Sequence, residues 1–134
     1  MNLLRPQSPV AGVRNVTNRC KITLKMLVHI VCWKYKPETA IDEREDHIAR
    51  LRELPNLIPD IESFEVGSDI LHLERSFDTG LIAKYPDRAA LDFYTDHPEH
   101  LKVVAIGKQI AEKVVSVDFM SVPPAVAGGS FDES

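Results

Sequence analysis

The segment Met26 to Lys34 reads as a β-strand that is apolar on both faces. Successive side chains of a strand alternate, so Leu27, His29, Val31 and Trp33 point one way and Val28, Ile30 and Cys32 the other. A strand of this kind needs cover on both sides. In a chain of 134 residues, the length of one domain, few arrangements supply two covering layers.

The rest of the chain narrows the choice. A helix is expected from Thr39, with Asp42 completing a capping-box-like start, and with Ile41, Ile48, Leu51 and Leu54 as its apolar stripe. Pro55 is expected to end it. A second strand follows at Ile61 to Gly67, with Phe64 and Val66 on one face, and a third at Phe77 to Tyr85. The hairpin-like connection makes these two antiparallel neighbours. Leu71 and Leu73 extend the second strand irregularly, after a turn or bulge at Gly67-Ser68-Asp69. Asp87 caps a further helix that stops near Asp96, because Pro98 suits a first helical turn but not an interior. A new helix runs from Pro98 to about Lys113, and Val114 to Met120 is the last strand.

Strand, helix, strand, strand, helix, strand is the split βαβ order of the ferredoxin-like fold, βαββαβ in the α+β class. Right-handed crossovers put the helices on one face of a four-stranded antiparallel sheet. The other face keeps its apolar side chains without cover, which is an aggregation hazard for a lone subunit. A second copy packed sheet to sheet removes it, so a two-fold homodimer is expected.

Charge and composition exclude several functions. Residues 1–25 hold Arg5, Arg14, Arg19, Lys21 and Lys25 and no acid, a charge of +5; the whole chain carries −4, which leaves −9 on the remainder. The folded part thus offers no basic face to nucleic acid. Nothing approaches the apolar run of roughly 20 residues that a membrane helix needs. Cys20 and Cys32 make neither a disulfide framework nor a zinc set, Cys32 reads as a small buried hydrophobe, and a reducing cytoplasm is the simplest setting. The domain is taken as 26–121. Residues 1–25 read as an extension, either a transit-like segment or the product of a start codon upstream of Met26, and 122–134 as a flexible tail.

The chemistry-bearing residues gather at the helix break: Tyr94, His97 and His100 around Pro98. Histidine moves protons near neutral pH, and a tyrosine hydroxyl can donate to a developing oxyanion. Each also has a structural use. His97 can cap the next helix, His100 can brace the turn, and Tyr94 can be core with its hydroxyl bonded. His29 fits a satisfied core position, and Trp33 either walls a cavity or fills an interface. His47, beside Asp46 on a charged helix, reads as solvated. His97, Glu99 and His100 lack the further partner that a metal site needs.

Residues 26–120 resemble the stress-responsive A/B barrel proteins, the dimeric α+β barrel group. The matching segments are His29-Ile30-Val31 with Trp33-Lys34, Ile58-Pro59, Ser63-Phe64-Glu65-Val66-Gly67, Phe77-Asp78, the Tyr94-x-x-His97-Pro98-x-His100 motif and Val117-Asp118-Phe119. The resemblance implies a ferredoxin-like subunit, a dimer whose sheets pack into an α/β barrel, and a cavity between sheet and helices. That cavity would bind an apolar or carbonyl-rich small molecule through His29, Val31, Trp33, Thr79, Tyr94, His97 and His100. Many members have no assigned activity, and some plant members are linked to stress responses. One branch consists of polyketide cyclases, which close a ring by aldol condensation. Their catalytic pair falls on Tyr94 and His100, and this chemistry requires no metal or cofactor. A cofactorless monooxygenase is the other enzymatic form that the group suggests. Where many relatives carry a histidine after the aspartate of the third strand, this chain has Thr79, which cannot act as a base near pH 7. The cavity is therefore expected to lose an imidazole.

Overall fold

The computed structural model describes residues 25–122. The extension and tail, with Cys20, lie outside the described residues apart from Lys25 and Val122. Met26–Ser121 forms one unit with strands β1 (Met26–Tyr35), β2 (Ser63–Ser68), β3 (Thr79–Tyr85) and β4 (Ala111–Ser121). The helices are α1 (Ile41–Leu57), α2 (Arg88–Asp96) and α3 (Pro98–Ile110). The sheet order is β2-β3-β1-β4, and every neighbouring pair is antiparallel. This is the ferredoxin-like order expected from the sequence.

Register sorts the side chains of the sheet. Val31 pairs with Leu81 on β3 and with Ser116 on β4, and Leu27 pairs with Tyr85. On this face Leu27, Val31, Trp33, Leu81 and Tyr85 join Leu51 and Leu54 of α1, Leu91 and Tyr94 of α2 and Val103 of α3 in one core. The opposite face carries Ile30 between Ile82 and Val117, and Cys32 beside Val115. No helix covers it. Val117 is 53% exposed and Phe119 46%, while Val28 at 3% is the exception. Cys32 is half-buried on this open face, not enclosed in the core.

Several element ends differ from the sequence reading. Helix α1 begins at Ile41 with Ala40 as its N-cap, and the Glu43 carboxylate accepts the Ala40 N–H at 3.0 Å. Thr39 does not cap it: the Thr39 hydroxyl donates to the carbonyl of Ile110. Pro55 does not end the helix but sits in its last turns, where buried Leu51, Leu54 and Ile58 hold it in place. A proline there forgoes the bond to the Leu51 carbonyl and crowds that oxygen, a cost that the burial of these side chains offsets. Helix α3 stops three residues early. The Lys36 N–H takes the Ile110 carbonyl at 2.8 Å, and Ala111 pairs with Tyr35 at the head of β4. Strand β3 begins at Thr79 because Asp78 is used differently: its carboxylate accepts the Tyr35 N–H at 2.8 Å. Leu71 and Leu73 lie in the β2–β3 loop and extend no strand.

Candidate functional site

A cavity of about 290 Å³ lies between the helix-covered face of the sheet and helices α1 and α3. Strand β1 lends it His29, Val31 and Trp33, two residues apart and so on one face. Helix α3 lends His100, Val103, Val104 and Gly107, the one-face spacing of a helix. Tyr94 enters from α2 and His47 from α1. The walls are mainly apolar. Two residues expected here are elsewhere. Thr79 lies beneath Tyr35, hydrogen-bonded to its hydroxyl at 2.9 Å, and does not line the cavity. His97 does not line it either.

The helix break organises the Tyr94–His100 end. Asp87 caps α2 by accepting the Ala90 N–H at 2.9 Å. At the other end of α2, His97 ends the helix and caps α3, its Nδ1 accepting the Glu99 N–H at 3.1 Å. In an unbroken helix that N–H would bond the Thr95 carbonyl. Here the Thr95 carbonyl instead accepts from His100 Nδ1 at 3.0 Å. A carbonyl only accepts, so the Nδ1 of His100 carries a proton, and Nε2 of the neutral ring keeps its lone pair. Burial lowers the His100 pKa, partly opposed by the Thr95 carbonyl, so the neutral form holds at pH 7.

Tyr94 is buried, with the His100 ring stacked on it at 4.2 Å between centroids and tilted by 35°. Burial raises its pKa, so the phenol stays protonated and can donate. Its hydroxyl lies near that of Tyr85, a contact that partly opposes this rise. His29 approaches the same ring, with centroids 6.2 Å apart. Its Nδ1 meets the Asp118 carboxylate at 2.5 Å, the arrangement in which an acid fixes a neighbouring imidazole. Sequence reasoning missed Asp118 as a partner, although it falls on the same face of its strand as Ser116.

His47 is the larger correction. It is 1% exposed, not solvated. Its ring lies edge-on to Trp33 at 5.1 Å, and its Nδ1 bonds the Tyr35 hydroxyl at 2.8 Å. Burial drives its pKa down to about 4, against a small opposing pull from Asp46. The cavity thus keeps an imidazole near Thr79 after all, supplied by a helix rather than a strand. The signal was present: His47 stands four residues before Leu51 and seven before Leu54, on the buried stripe. Among the described residues, no cluster of three His, Cys, Asp or Glu side chains has the makings of a metal site.

The comparisons with known proteins agree with this architecture. Among solved structures the chain is similar to a dimeric ferredoxin-like protein of unknown function from Thermobifida fusca YX, at 25% identity over 71% of this chain and 90% of that one, with a TM-score of 0.66. A second dimeric ferredoxin-like protein of unknown function, from Jannaschia sp. CCS1, is 26% identical over 70% of this chain and 97% of that one, with a TM-score of 0.61. The hydroxynitrile lyase of Passiflora edulis shares the fold at 19% identity, covering 72% of this chain and 94% of that one, with a TM-score of 0.66. No curated protein matches the chain in sequence. The profile of the Stress responsive A/B Barrel Domain matches residues 27–121, from the first strand to the last, and the chain therefore belongs to that family.

Proposed function

We propose that the protein works as a homodimer, open sheet face to open sheet face, and that each cavity binds a small, largely apolar molecule bearing a carbonyl group. The dimer is supported by the uncovered Ile30, Ile82, Val117 and Phe119 and by the dimeric ferredoxin-like proteins that the chain resembles. The observation that carries the ligand reading is His100. A core histidine that only braces a turn has no need of an apolar cavity at its ring, yet this one stacks on a buried phenol beside about 290 Å³ of space. A role in stress physiology and a cytoplasmic setting complete the reading; the free Cys32 thiol fits the latter.

The fixed tautomer of His100 favours a second reading, cofactor-independent catalysis. In a polyketide-cyclase-like aldol closure, His100 Nε2 takes the proton from a carbon next to a carbonyl, and the Tyr94 hydroxyl donates to the enolate oxygen. The enolate carbon then bonds a second carbonyl carbon of the same molecule, whose oxygen takes up the proton. A cofactorless monooxygenase would begin with the same deprotonation. Native mass spectrometry of the purified dimer and of His100→Ala tests the shared premise. A small molecule retained by the wild type and lost in the variant is the expected result. An empty dimer in both forms returns the cavity to a packing role.

A further inference from the structure

The far end of the cavity holds polar groups that the chemistry at Tyr94 and His100 does not use. The Trp33 indole N–H has no acceptor among the described residues, and His47 Nε2 has no partner there either. Both nitrogens crowd the same spot: a Cβ on Gly107 would lie 3.4 Å from Trp33 Nε1 and 3.3 Å from His47 Nε2. The missing side chain leaves that wall open.

Counting hydrogens assigns the protons. Thr79, Tyr35 and His47 form a chain, Thr79 Oγ1 to Tyr35 OH at 2.9 Å and Tyr35 OH to His47 Nδ1 at 2.8 Å. If His47 Nδ1 donated, Tyr35 would donate to Thr79, and the buried Thr79 hydroxyl hydrogen would lack an acceptor. In the opposite sense Thr79 donates to Tyr35 and Tyr35 donates to Nδ1, so every hydroxyl hydrogen is used. The neutral ring then carries its proton on Nε2. Two N–H donors, one indole and one imidazole, face the cavity side by side.

We infer that Trp33 Nε1–H and His47 Nε2–H, beside Gly107, form a paired donor site for the carboxylate of an elongated apolar ligand whose other end lies at His100. This rests on the reading of the cavity as a ligand site. The only formally charged side chain among its lining residues is Lys108, next to Gly107 at the rim, and no acid lines it. An anion is therefore the headgroup this end accepts. The length follows from α3: His100 and Gly107 are seven residues apart, about 10 Å at 1.5 Å per residue, with Val103 and Val104 between them. The ligand is thus an apolar chain or flat ring system about that long, ending in a carboxylate.

Octanoate is the probe and octylamine, with the same tail and the opposite charge, its control. Trp33 is the only tryptophan in the chain, so its fluorescence and its single indole N–H resonance report the site directly. Octanoate should move that resonance downfield and octylamine should not. Trp33→Phe keeps a ring and loses the N–H; His47→Asn leaves an acceptor for Tyr35 and loses Nε2–H. Each should weaken octanoate binding about tenfold or more, the effect of one hydrogen bond to a charged group. Equal binding of the amine, a stationary indole resonance or unchanged affinity in both variants overturns the inference. No response to octanoate also overturns it, whereas co-purification of some other small molecule would still uphold the cavity as a ligand site. The resonance is measured on the wild type, so the test survives if a variant fails to fold.

Discussion

Ile30→Asp is the sharpest test of the open face, because the register puts Ile30 at its centre, between Ile82 and Val117. If two copies pack there, each subunit loses about 1.5–3 kcal/mol of isoleucine burial. The introduced carboxyl must then be buried, and it does so by taking a proton. With an ordinary pKa near 3.9, protonation at pH 7 costs about 4 kcal/mol. A two-fold interface counts both terms twice, so dimerisation weakens by about 11–14 kcal/mol, roughly eight to ten decades in Kd. Sedimentation equilibrium at micromolar concentration should find a wild-type dimer and an Ile30→Asp monomer or aggregate. The protonation cost drops to about 1.5 kcal/mol at pH 5, so the variant should recover association on acidification while Ile30→Asn should not. Val31→Asp is the contrast: Val31 faces the core, and its variant should unfold rather than dissociate. A wild type that sediments as one chain with the face uncovered, or an Ile30→Asp protein that dimerises normally, refutes the reasoning.

Two further predictions concern stability, each measured at fixed protomer concentration because association feeds into it. Tyr85 is fully buried, and its hydroxyl is a buried polar atom without a partner among the described residues; Tyr85→Phe removes an unsatisfied group and should stabilise by about 1 kcal/mol, read as a rise in Tm, whereas a loss of that size would reveal a hydrogen bond to the hydroxyl. His47 is held neutral by burial with a pKa of about 4, against 6.5 unfolded, so below pH 6.5 the unfolded chain binds the extra proton and stability falls with pH, by at most about 3 kcal/mol at pH 4. Denaturant melts of the wild type should carry that slope between pH 6.5 and 4, and those of His47→Asn should lack His47's share of it; identical slopes would place the ring in water.

What the sequence made legible was whatever depends on local repeat and local breakage. The two-residue alternation of β1 sorted Val31 from Ile30 correctly, and Pro98 marked the junction of α2 and α3. The split βαβ order then left one sheet face bare by topology alone. What escaped was set by distant partners. Helix α3 ends at Ile110 because Lys36 and Thr39 claim its carbonyl, and no local signal near Lys113 announces that. His29 meets Asp118 only through the β1–β4 register. His47 was misread for another reason: Asp46 beside it suggested a wet face, while helical spacing put it with Leu51. Spacing was the better guide, since one charged neighbour in sequence points about 100° away around a helix.

The break at Pro98 also shows why a structural and a chemical account of the Tyr94-x-x-His97-Pro98-x-His100 motif are not rivals. A continuous helix would spend the Thr95 carbonyl on the Glu99 N–H. Proline at the first turn of α3 lets the chain turn there, and His97 takes that N–H through Nδ1. The carbonyl so released is the one that holds His100 Nδ1 and leaves Nε2 bare. One histidine therefore acts as a cap so that the other can have a defined tautomer, and the tyrosine that His100 stacks on is fixed by the end of the same helix. His97 thereby bears on the tautomer of a cavity-lining residue although it does not line the cavity itself. A chain can in this way fix the tautomer of a cavity-lining imidazole at a helix end, using backbone groups that the break would otherwise leave without partners.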